Sequence, residues 1–403
     1  MTMCKRYIWY FLLCCCAQGM GQSVFAMEQA FVASSAQACA MQPVVADPYM
    51  YQAVIKAPVV EMNAGFPPPC NPPISPDTEK CYRAHQGLYN ELVDVVEQRE
   101  DFVKVALTNC VYGFDTEIKK PLNTFWMYKK DIVPLSELDG DVLHTIPHAQ
   151  HAQEPTIILT YPWNNFSVGT RFRHMADYDI ETAYAVIRAD YTNNTVTSDL
   201  VPRENGMIEV AQEPRLARHL FVVIINNLVA RVSQRDPLNV MPYVWGGSSF
   251  VQSYVQSDFY VRDGVWQRDG KNDPYTGYDC SGFTRRMAQI AGINFLWKTT
   301  FAIQASRRKL ASGEPLEEGD IIWVSGHVMI VSNIERNEMI EAAGYGAGFG
   351  CVHRIAIDKR FAGVRGYQDL LERYHAGQAI TFLNKSGETV KTYDRFELLK
   401  LVD

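Results

Sequence analysis

The 403-residue sequence has no sustained run of basic residues, and its formal net charge is −7. Proteins whose main partner is nucleic acid usually carry a basic patch, so nucleic acid is not an expected partner. No cysteine pair has the C-x-x-C spacing of a zinc site, and no G-x-G-x-x-G or G-K-[ST] motif indicates phosphate binding. His144, His148 and His151 lie in a Pro-containing connector, whose composition favours solvated loop histidines over metal ligands. We therefore expect neither a metal nor another cofactor.

The N-terminal apolar run, Tyr7–Ala17, is short for a membrane span, which takes about 20 residues. Lys5-Arg6 precedes this run, and Val24-Phe25-Ala26 offers a small-residue cleavage site. These features predict that residues 1–26 are a cleaved signal peptide and that the protein is periplasmic or secreted to the cell envelope. Lipid attachment within Cys14–Cys16 is an alternative. No stable membrane span is expected after cleavage.

Six of the ten cysteines lie beyond this segment, at positions 39, 70, 81, 110, 280 and 351. Cys70 and Cys81 bracket a Pro-rich loop and are a plausible disulfide in an oxidising compartment. Cys110 could equally be the partner of either. The pairing is left open.

The length predicts two or three domains, and an apolar content of 47% is typical of packed globular proteins. Residues 27–50 have no sustained period and are interpreted as a tether or arm. Short strand patterns separated by turns follow over 51–135 and again over 155–212, which favours small all-β domains. Leu88–Glu97 fits either a helix or one strand of a hairpin. Leu216–Val232 is the strongest helical pattern in the chain.

A cysteine stands at the predicted start of a helix. Asp279 and Ser281 are residues that cap helices, and Phe283, Met287 and Ile290 follow with helical spacing. The positive end of the helix dipole favours the thiolate form of such a cysteine. Cys280 is therefore a candidate nucleophile.

A histidine, His327, stands at the head of the apolar strand pattern Val328–Val331. A nucleophile and a base that come from separate elements form the basic arrangement of enzymes with a cysteine nucleophile. The sequence thus predicts a Cys280–His327 pair.

The ordered motifs resemble those of the NlpC/p60 cell-wall cysteine peptidases, with a catalytic domain over 213–375. The matching residues are Tyr243-x-Trp245-Gly246-Gly247, Asp279-Cys280-Ser281-Gly282-Phe283, Gly319-Asp320 and Gly326-His327-Val328. Upstream, Glu91–Glu97, Asp101–Val105 and Phe125–Met127 resemble the strands of bacterial Src-homology-3 domains. The resemblance implies an α+β protein, with a C-terminal papain-like domain preceded by two small all-β barrels of the Src-homology-3 type.

The resemblance also implies catalytic roles. Cys280 would be the nucleophile and His327 the general base, and Glu341 stands where the family often has a histidine that orients the base. A carboxylate suits that task because it fixes the tautomer of the base. His353 is the rival for this third position.

Three substrate-binding residues are expected as well. Asp279 matches the family residue that contacts the free amine of an N-terminal L-Ala, and Tyr243 and Ser281 would add polar contacts beside the nucleophile.

The implied reaction is hydrolysis of the γ-D-glutamyl–diamino acid bond, as with diaminopimelate, in peptidoglycan stem peptides. Peptides with a free N-terminal L-Ala are the expected substrates, so the partner is peptidoglycan or a released muropeptide. Acyl transfer or amidase activity on the same scaffold, and wall binding without catalysis, are the alternatives. Residues 376–403 form an extension that is predicted to fold as a hairpin and a helix.

Overall fold

A computed structural model describes residues 50–66, 83–114, 121–147, 155–209, 213–235, 240–251, 259–262, 265–268 and 276–402. These residues all belong to one compact unit. The predicted signal peptide, the tether apart from Met50, and both cysteines of the predicted Cys70–Cys81 disulfide lie outside the described residues. Within the described ranges, no helix has the length and apolarity needed to cross a membrane.

The N-terminal part of the described chain forms an antiparallel sheet of seven strands, in the order β3-β2-β8-β5-β4-β1-β9. Leu92–Arg99 pairs antiparallel with Phe102–Ala106, so Leu88–Glu97 contributes to a hairpin and the helix alternative is wrong. The strands of this region are β1 (Tyr51–Ile55), β2 (Val59–Asn63), β3 (Arg83–Leu88), β4 (Leu92–Arg99), β5 (Phe102–Ala106), a short ribbon of β6 (Gly113–Phe114) and β7 (Pro121–Leu122), β8 (Thr124–Tyr128) and β9 (Ile132–Pro134).

A second antiparallel sheet follows, with five strands in the order β13-β12-β11-β10-β14. A four-residue helix, α1 (Gly140–Leu143), precedes it. The strands are β10 (Thr156–Leu159), β11 (Arg171–His174), β12 (Ala183–Asp190), β13 (Thr195–Pro202) and β14 (Gly206–Glu209). Its buried face shares a hydrophobic core with Val54 of β1 and with Tyr89, which follows β3.

The predicted closed barrels over 51–135 and 155–212 are not confirmed, because both sheets are open. In the first sheet, β3 lies at one edge and β9 at the other. The β3 edge contacts the C-terminal domain instead of closing onto β9. The backbone N–H of Gln86 donates a hydrogen bond to Ser248 Oγ at 3.0 Å. The Ser248 hydroxyl, from another part of the chain, thus accepts from a backbone donor at this strand edge.

The C-terminal domain is built on an antiparallel sheet in the order β22-β21-β20-β19-β25. Alternate residues point to opposite faces. The face that includes Val328 and Ile340 packs on helices α2 and α3, and the face that includes Met329 and Met339 packs on α5, α6 and a C-terminal hairpin. The elements are α2 (Pro214–Arg235), β15 (Ser248–Ser249), β16 (Phe259–Arg262), β17 (Val265–Arg268), β18 (Gly277–Tyr278), α3 (Cys280–Ile290), α4 (Thr300–Ser306), β19 (Ile321–Val324), β20 (His327–Asn333), β21 (Glu338–Ala343), β22 (Cys351–Ala356), α5 (Ile357–Arg360), α6 (Tyr367–His375), β23 (Ile380–Leu383), β24 (Thr389–Tyr393) and β25 (Phe396–Leu399).

The C-terminal extension has the predicted hairpin, formed by β23 and β24, but the predicted helix is wrong. Phe396–Leu399 instead forms β25, which pairs antiparallel with β19 as an edge strand of the central sheet. All four residues are buried. Phe396, Leu398 and Leu399 are apolar, and a pattern this short does not separate a buried strand from a helix.

Helix α3 is tied to the first sheet by a buried arginine. Arg286 donates hydrogen bonds to the carbonyls of Ser248 and Gln86, both at 3.1 Å, and pairs with Glu91 at 2.7 Å. Only 1% of the Arg286 side chain is exposed. Burial opposes ionisation of Glu91, but the Arg286 charge and hydrogen bond prevail and lower the pKa of that carboxyl. The helix that carries Cys280 therefore depends on the N-terminal sheet for the partners of a buried charge.

Its neighbour Arg285 is also buried and donates to the carbonyl of Asn109 at 2.6 Å. His85 lies 3.4 Å from Arg285, and burial together with the nearby cations lowers the pKa of this imidazole well below its usual value. Cys110 beside them is a buried free thiol, so the alternative disulfide with Cys70 or Cys81 is not formed. Burial raises its pKa.

Candidate active site

The N-terminus of α3 is fixed by a side-chain cap and by close backbone packing. Asp279 is the N-cap residue, and its Oδ1 accepts hydrogen bonds from the Gly282 amide at 2.5 Å and from Ser281 Oγ at 3.0 Å. A Cβ at position 282 would lie 2.0 Å from the Gly247 carbonyl oxygen, so only glycine fits there. This packing places Cys280 in the first turn of the helix, with 7% of the residue exposed.

His327 and Glu341 approach each other across two paired strands. The register pairs Ile330 of β20 with Ile340 of β21, which places His327 and Glu341 diagonally on the same face. His327 Nε2 lies 2.6 Å from Glu341 Oε2, within hydrogen-bond distance. His327 also interacts with the Cys280 side chain. The structure therefore brings together the three residues predicted as the catalytic set.

The charges of these groups reinforce one another. Burial would lower the pKa of His327, but Cys280 and Glu341 outweigh it and raise the value to about 9. Burial likewise opposes ionisation of Glu341, yet the Arg360 charge and hydrogen bonds from His327 and His353 hold its pKa well below the usual range. Near neutral pH the site therefore holds an imidazolium between a carboxylate and a cysteine sulfur.

His353, the rival third residue, contacts Glu341 and not His327. It lies directly opposite Glu341 on β22, with Nε2 3.3 Å from Glu341 Oε1. Its ring stacks on Phe349, with centroids 4.1 Å apart. Burial would lower the pKa of His353, but its interactions with Cys351 and Glu341 outweigh that effect and raise the value to about 9. His353 is thus placed to hold the carboxylate that contacts His327.

Arg360 completes this network and was not among the sequence candidates. Its Nε lies 2.7 Å from Glu341 Oε1, and only 4% of its side chain is exposed. Glu341 therefore faces two histidines and one arginine. No periodicity or motif around Arg360 distinguishes it from an ordinary surface arginine, so the sequence carries no signal for this contact.

Asp279, the predicted substrate-binding carboxylate, forms an ion pair with a lysine of the same chain. Asp279 Oδ2 pairs with Lys298 Nζ at 2.6 Å, and the Lys298 side chain is 2% exposed. Ser281, 5% exposed, uses its hydroxyl in the helix cap. Lys298 is a second residue that sequence reasoning missed, because it lies 18 positions after the nucleophile in a segment without a motif.

Tyr243 lies beside β18, the short strand that leads into the helix of Cys280. Its backbone bridges Tyr278, its amide donates to the Gly350 carbonyl at 2.8 Å, and its ring packs against the core cluster that includes Cys280. Gly246, three residues later, has φ of +72°, a left-handed backbone conformation that favours glycine.

The sequence model of the NlpC/P60 family matches residues 240–365, which include Cys280, His327 and Glu341. The chain contains an NlpC/P60 family domain. Members of this family are typically cysteine peptidases or amidases that act on the cell wall. The network around Cys280 lies within this domain, and Arg360 lies near its C-terminal boundary.

Solved structures similar to this chain include two NlpC/P60 proteins. One is an NlpC/P60 family protein from Bacillus cereus, with 17% identity and a TM-score of 0.48, covering 78% of this chain and 96% of that chain. The other is NlpC1 from Trichomonas vaginalis, with 11% identity and a TM-score of 0.31, covering 81% of this chain and 94% of that chain. A comparison with curated proteins gives no match.

The NlpC/P60 match is narrower than the structural domain that surrounds it. Helix α2 precedes the match and packs on α3, whereas β25 follows the match and extends the central sheet. Asp320 connects these two additions: its carboxylate, 0% exposed, pairs with Arg218 of α2 at 2.7 Å and with Lys400 at 2.8 Å. The NlpC/P60 domain thus shares its core with segments on both sides.

Proposed function

We propose that the protein is a cysteine peptidase that hydrolyses the γ-D-glutamyl–diamino acid bond of peptidoglycan stem peptides. The observation that carries this proposal is the contact of His327 with both Cys280 and Glu341. The choice of bond, and of diaminopimelate as a diamino acid, follows from the resemblance of the motifs to the NlpC/P60 peptidases. Export through residues 1–26, and Src-homology-3-like modules over the two N-terminal sheets, are parts of the same proposal.

In the proposed reaction the Cys280 thiolate attacks the γ-carbonyl carbon of D-Glu. The backbone N–H of Cys280, at a helix start, donates to the oxyanion that forms. His327, as imidazolium, then protonates the leaving amine, so that the amide bond breaks and a thioester to Cys280 remains. Neutral His327 next takes a proton from water, which attacks the thioester; the C–S bond breaks, the Cys280 thiolate leaves, and L-Ala-D-Glu with a free γ-carboxylate is released. Glu341 stabilises the imidazolium in the first half of the cycle.

The first experiment separates hydrolysis from transfer to another acceptor. Protein that comprises residues 27–403 is incubated with L-Ala-γ-D-Glu-meso-diaminopimelate-D-Ala in H₂¹⁸O, with and without an added amine. We expect L-Ala-D-Glu that carries one ¹⁸O, with little amide product. A predominant amide would identify an acyltransferase, and wall binding without any turnover would favour a binding protein.

The Asp279–Lys298 ion pair affects how the site would bind the N-terminal amine of the substrate. An ammonium that approaches Asp279 meets a carboxylate that Lys298 already neutralises. We therefore propose that this site also cuts peptides whose L-Ala amine is acylated. The substrates would then include stem peptides that are still attached to peptidoglycan as well as free peptides. This proposal broadens the preference that the motif resemblance implies.

Comparison of free and N-acetylated peptides tests this point. We expect the ratio of their kcat/KM values to stay within about fivefold in the parent, because a neutralised carboxylate contributes little charge-assisted binding. Lys298→Met should shift the ratio at least about tenfold towards the free amine by exposing the Asp279 charge. Because each ratio is internal to one protein, partial destabilisation cancels. A parent that rejects the acetylated peptide would contradict the proposal.

A further inference from the structure

The C-terminal hairpin lies against the catalytic network but outside the family match, which ends at residue 365. In its register Ile380 pairs with Tyr393, Phe382 with Lys391, and Thr381 with Thr392. Side chains alternate between the two faces of a hairpin. Phe382, Lys391 and Tyr393 therefore share one face, and Thr392 lies on the other.

Phe382 joins this face to the catalytic base. Its ring meets the His327 ring edge to face, with centroids 6.4 Å apart. The Arg360 guanidinium, which pairs with Glu341, lies 4.6 Å from the centre of the Phe382 ring and donates a hydrogen bond to the Leu383 carbonyl. The hairpin is thus held by the same arginine that holds the carboxylate beside His327.

Tyr393 extends the aromatic surface beyond Phe382. The two rings are 4.9 Å apart, and the Lys391 ammonium lies 4.6 Å from the centre of the Tyr393 ring. Burial raises the pKa of Tyr393. Among its charged neighbours, Arg360 lowers this pKa, whereas Cys280 and Glu341 raise it. The Tyr393 phenol is therefore close enough to the nucleophile for the two groups to interact electrostatically. Within the described part of the chain, the Tyr393 hydroxyl makes no hydrogen bond.

We propose that the hairpin Ile380–Tyr393 is the leaving-group wall of the active site, where Tyr393 and Lys391 bind a carboxylate of the diamino acid. This inference rests on the proposed function. His327 delivers the proton to the departing amine, so the surface beside His327 faces the leaving residue. That residue carries a carboxylate besides the reacting amine, and a phenol with a neighbouring ammonium provides one donor and one positive charge for it.

Kinetics with two peptides test the binding role in the full chain. One peptide has the side-chain carboxylate of the diamino acid free, and the other has it amidated. We expect Tyr393→Phe and Lys391→Met each to lower kcat/KM for the free carboxylate about tenfold, mainly through KM, and to change the amidated peptide less than threefold. Thr392→Val, on the opposite face of the same strand, should stay within twofold for both peptides. Equal losses for the two peptides, or no loss, would overturn the binding role.

A second readout does not need peptidase activity. Mass spectrometry of the tryptic peptide that contains Cys280 gives its alkylation rates with iodoacetamide and with the bulkier N-benzylmaleimide. Tyr393→Ala should raise the rate ratio of the bulky to the small reagent at least threefold, and Thr392→Val should not. An unchanged ratio would overturn the wall itself. If the parent fails to cut the peptide but the ratio rises, the proposed function fails and the wall stands.

Discussion

Glu341→Gln is expected to lower kcat/KM by roughly 10²–10⁴-fold, the usual contribution of a positioned acid–base pair. The amide cannot stabilise the His327 imidazolium, so the pKa of His327 should fall from its raised value of about 9. Because the leaving amine needs the imidazolium, the alkaline limb of the pH profile of kcat/KM should move to lower pH. Profiles of the parent and of Glu338→Gln, a carboxylate on the same strand that pairs with Arg336, provide the comparison.

The same substitution leaves Arg360 as an unbalanced buried charge, and loss of one partner from a buried pair costs about 3–5 kcal/mol. The double variant Glu341→Gln/Arg360→Met removes both charges and should recover most of that stability in denaturant unfolding, without recovering activity. Recovery of activity along with stability would mean that Glu341 has only a structural role. An unchanged alkaline limb in Glu341→Gln would also contradict the assigned role.

Arg286→Met is expected to destabilise the protein by about 3–5 kcal/mol. The substitution leaves the buried Glu91 carboxylate without its positive partner, and it removes the guanidinium that donates hydrogen bonds to the Ser248 and Gln86 carbonyls. The side chains of this pair are 1% and 15% exposed. Arg308→Met is the matched control, since the Arg308–Glu314 pair is 45% and 24% exposed and is screened by solvent, so that its loss should change the stability little. Urea unfolding measures both effects as shifts of the midpoint, provided that the dependence of the unfolding free energy on urea concentration is the same in the variants as in the parent.

The same contact predicts that residues 213–403 alone do not form a stable domain. Without the first sheet, Arg286 and Arg285 lose Glu91 and the carbonyls of Gln86 and Asn109. A fragment that unfolds with the cooperativity and midpoint of the whole chain, or an Arg286→Met midpoint equal to that of Arg308→Met, would contradict this coupling.

The elements that present the candidate residues could be predicted from the sequence because their signals are local. Asp279 before a helical pattern, and His327 before an apolar strand, mark element boundaries that depend on neighbouring residues alone. Glu341 was found through its place in a motif, and the structure puts it 2.6 Å from His327. The contact itself depends on strand register, which no single segment contains.

The contacts of Arg285, Arg286 and Arg360 could not be predicted because they join distant segments. The helical pattern of α3 carries no local signal that Arg285 and Arg286 are buried, because contacts with the N-terminal region bury both. Similarly, the strands of the first sheet have a local pattern, but closure into a barrel depends on what meets the edge of β3. That edge meets Ser248, 162 positions along the chain from Gln86.

The central claim, that Cys280 is the nucleophile of a peptidase, is tested most directly by mass spectrometry of protein and peptide from one quenched reaction. Parent protein with L-Ala-γ-D-Glu-meso-diaminopimelate-D-Ala should release L-Ala-D-Glu and show transient L-Ala-D-Glu acylation on the Cys280 peptide. Cys351→Ala, which removes a partly exposed thiol on β22 beside His353, should still release L-Ala-D-Glu and show the acylated Cys280 peptide. Cys280→Ala should show neither product nor adduct. Product release by Cys280→Ala, or a folded and reduced parent that leaves the peptide intact, would contradict the claim.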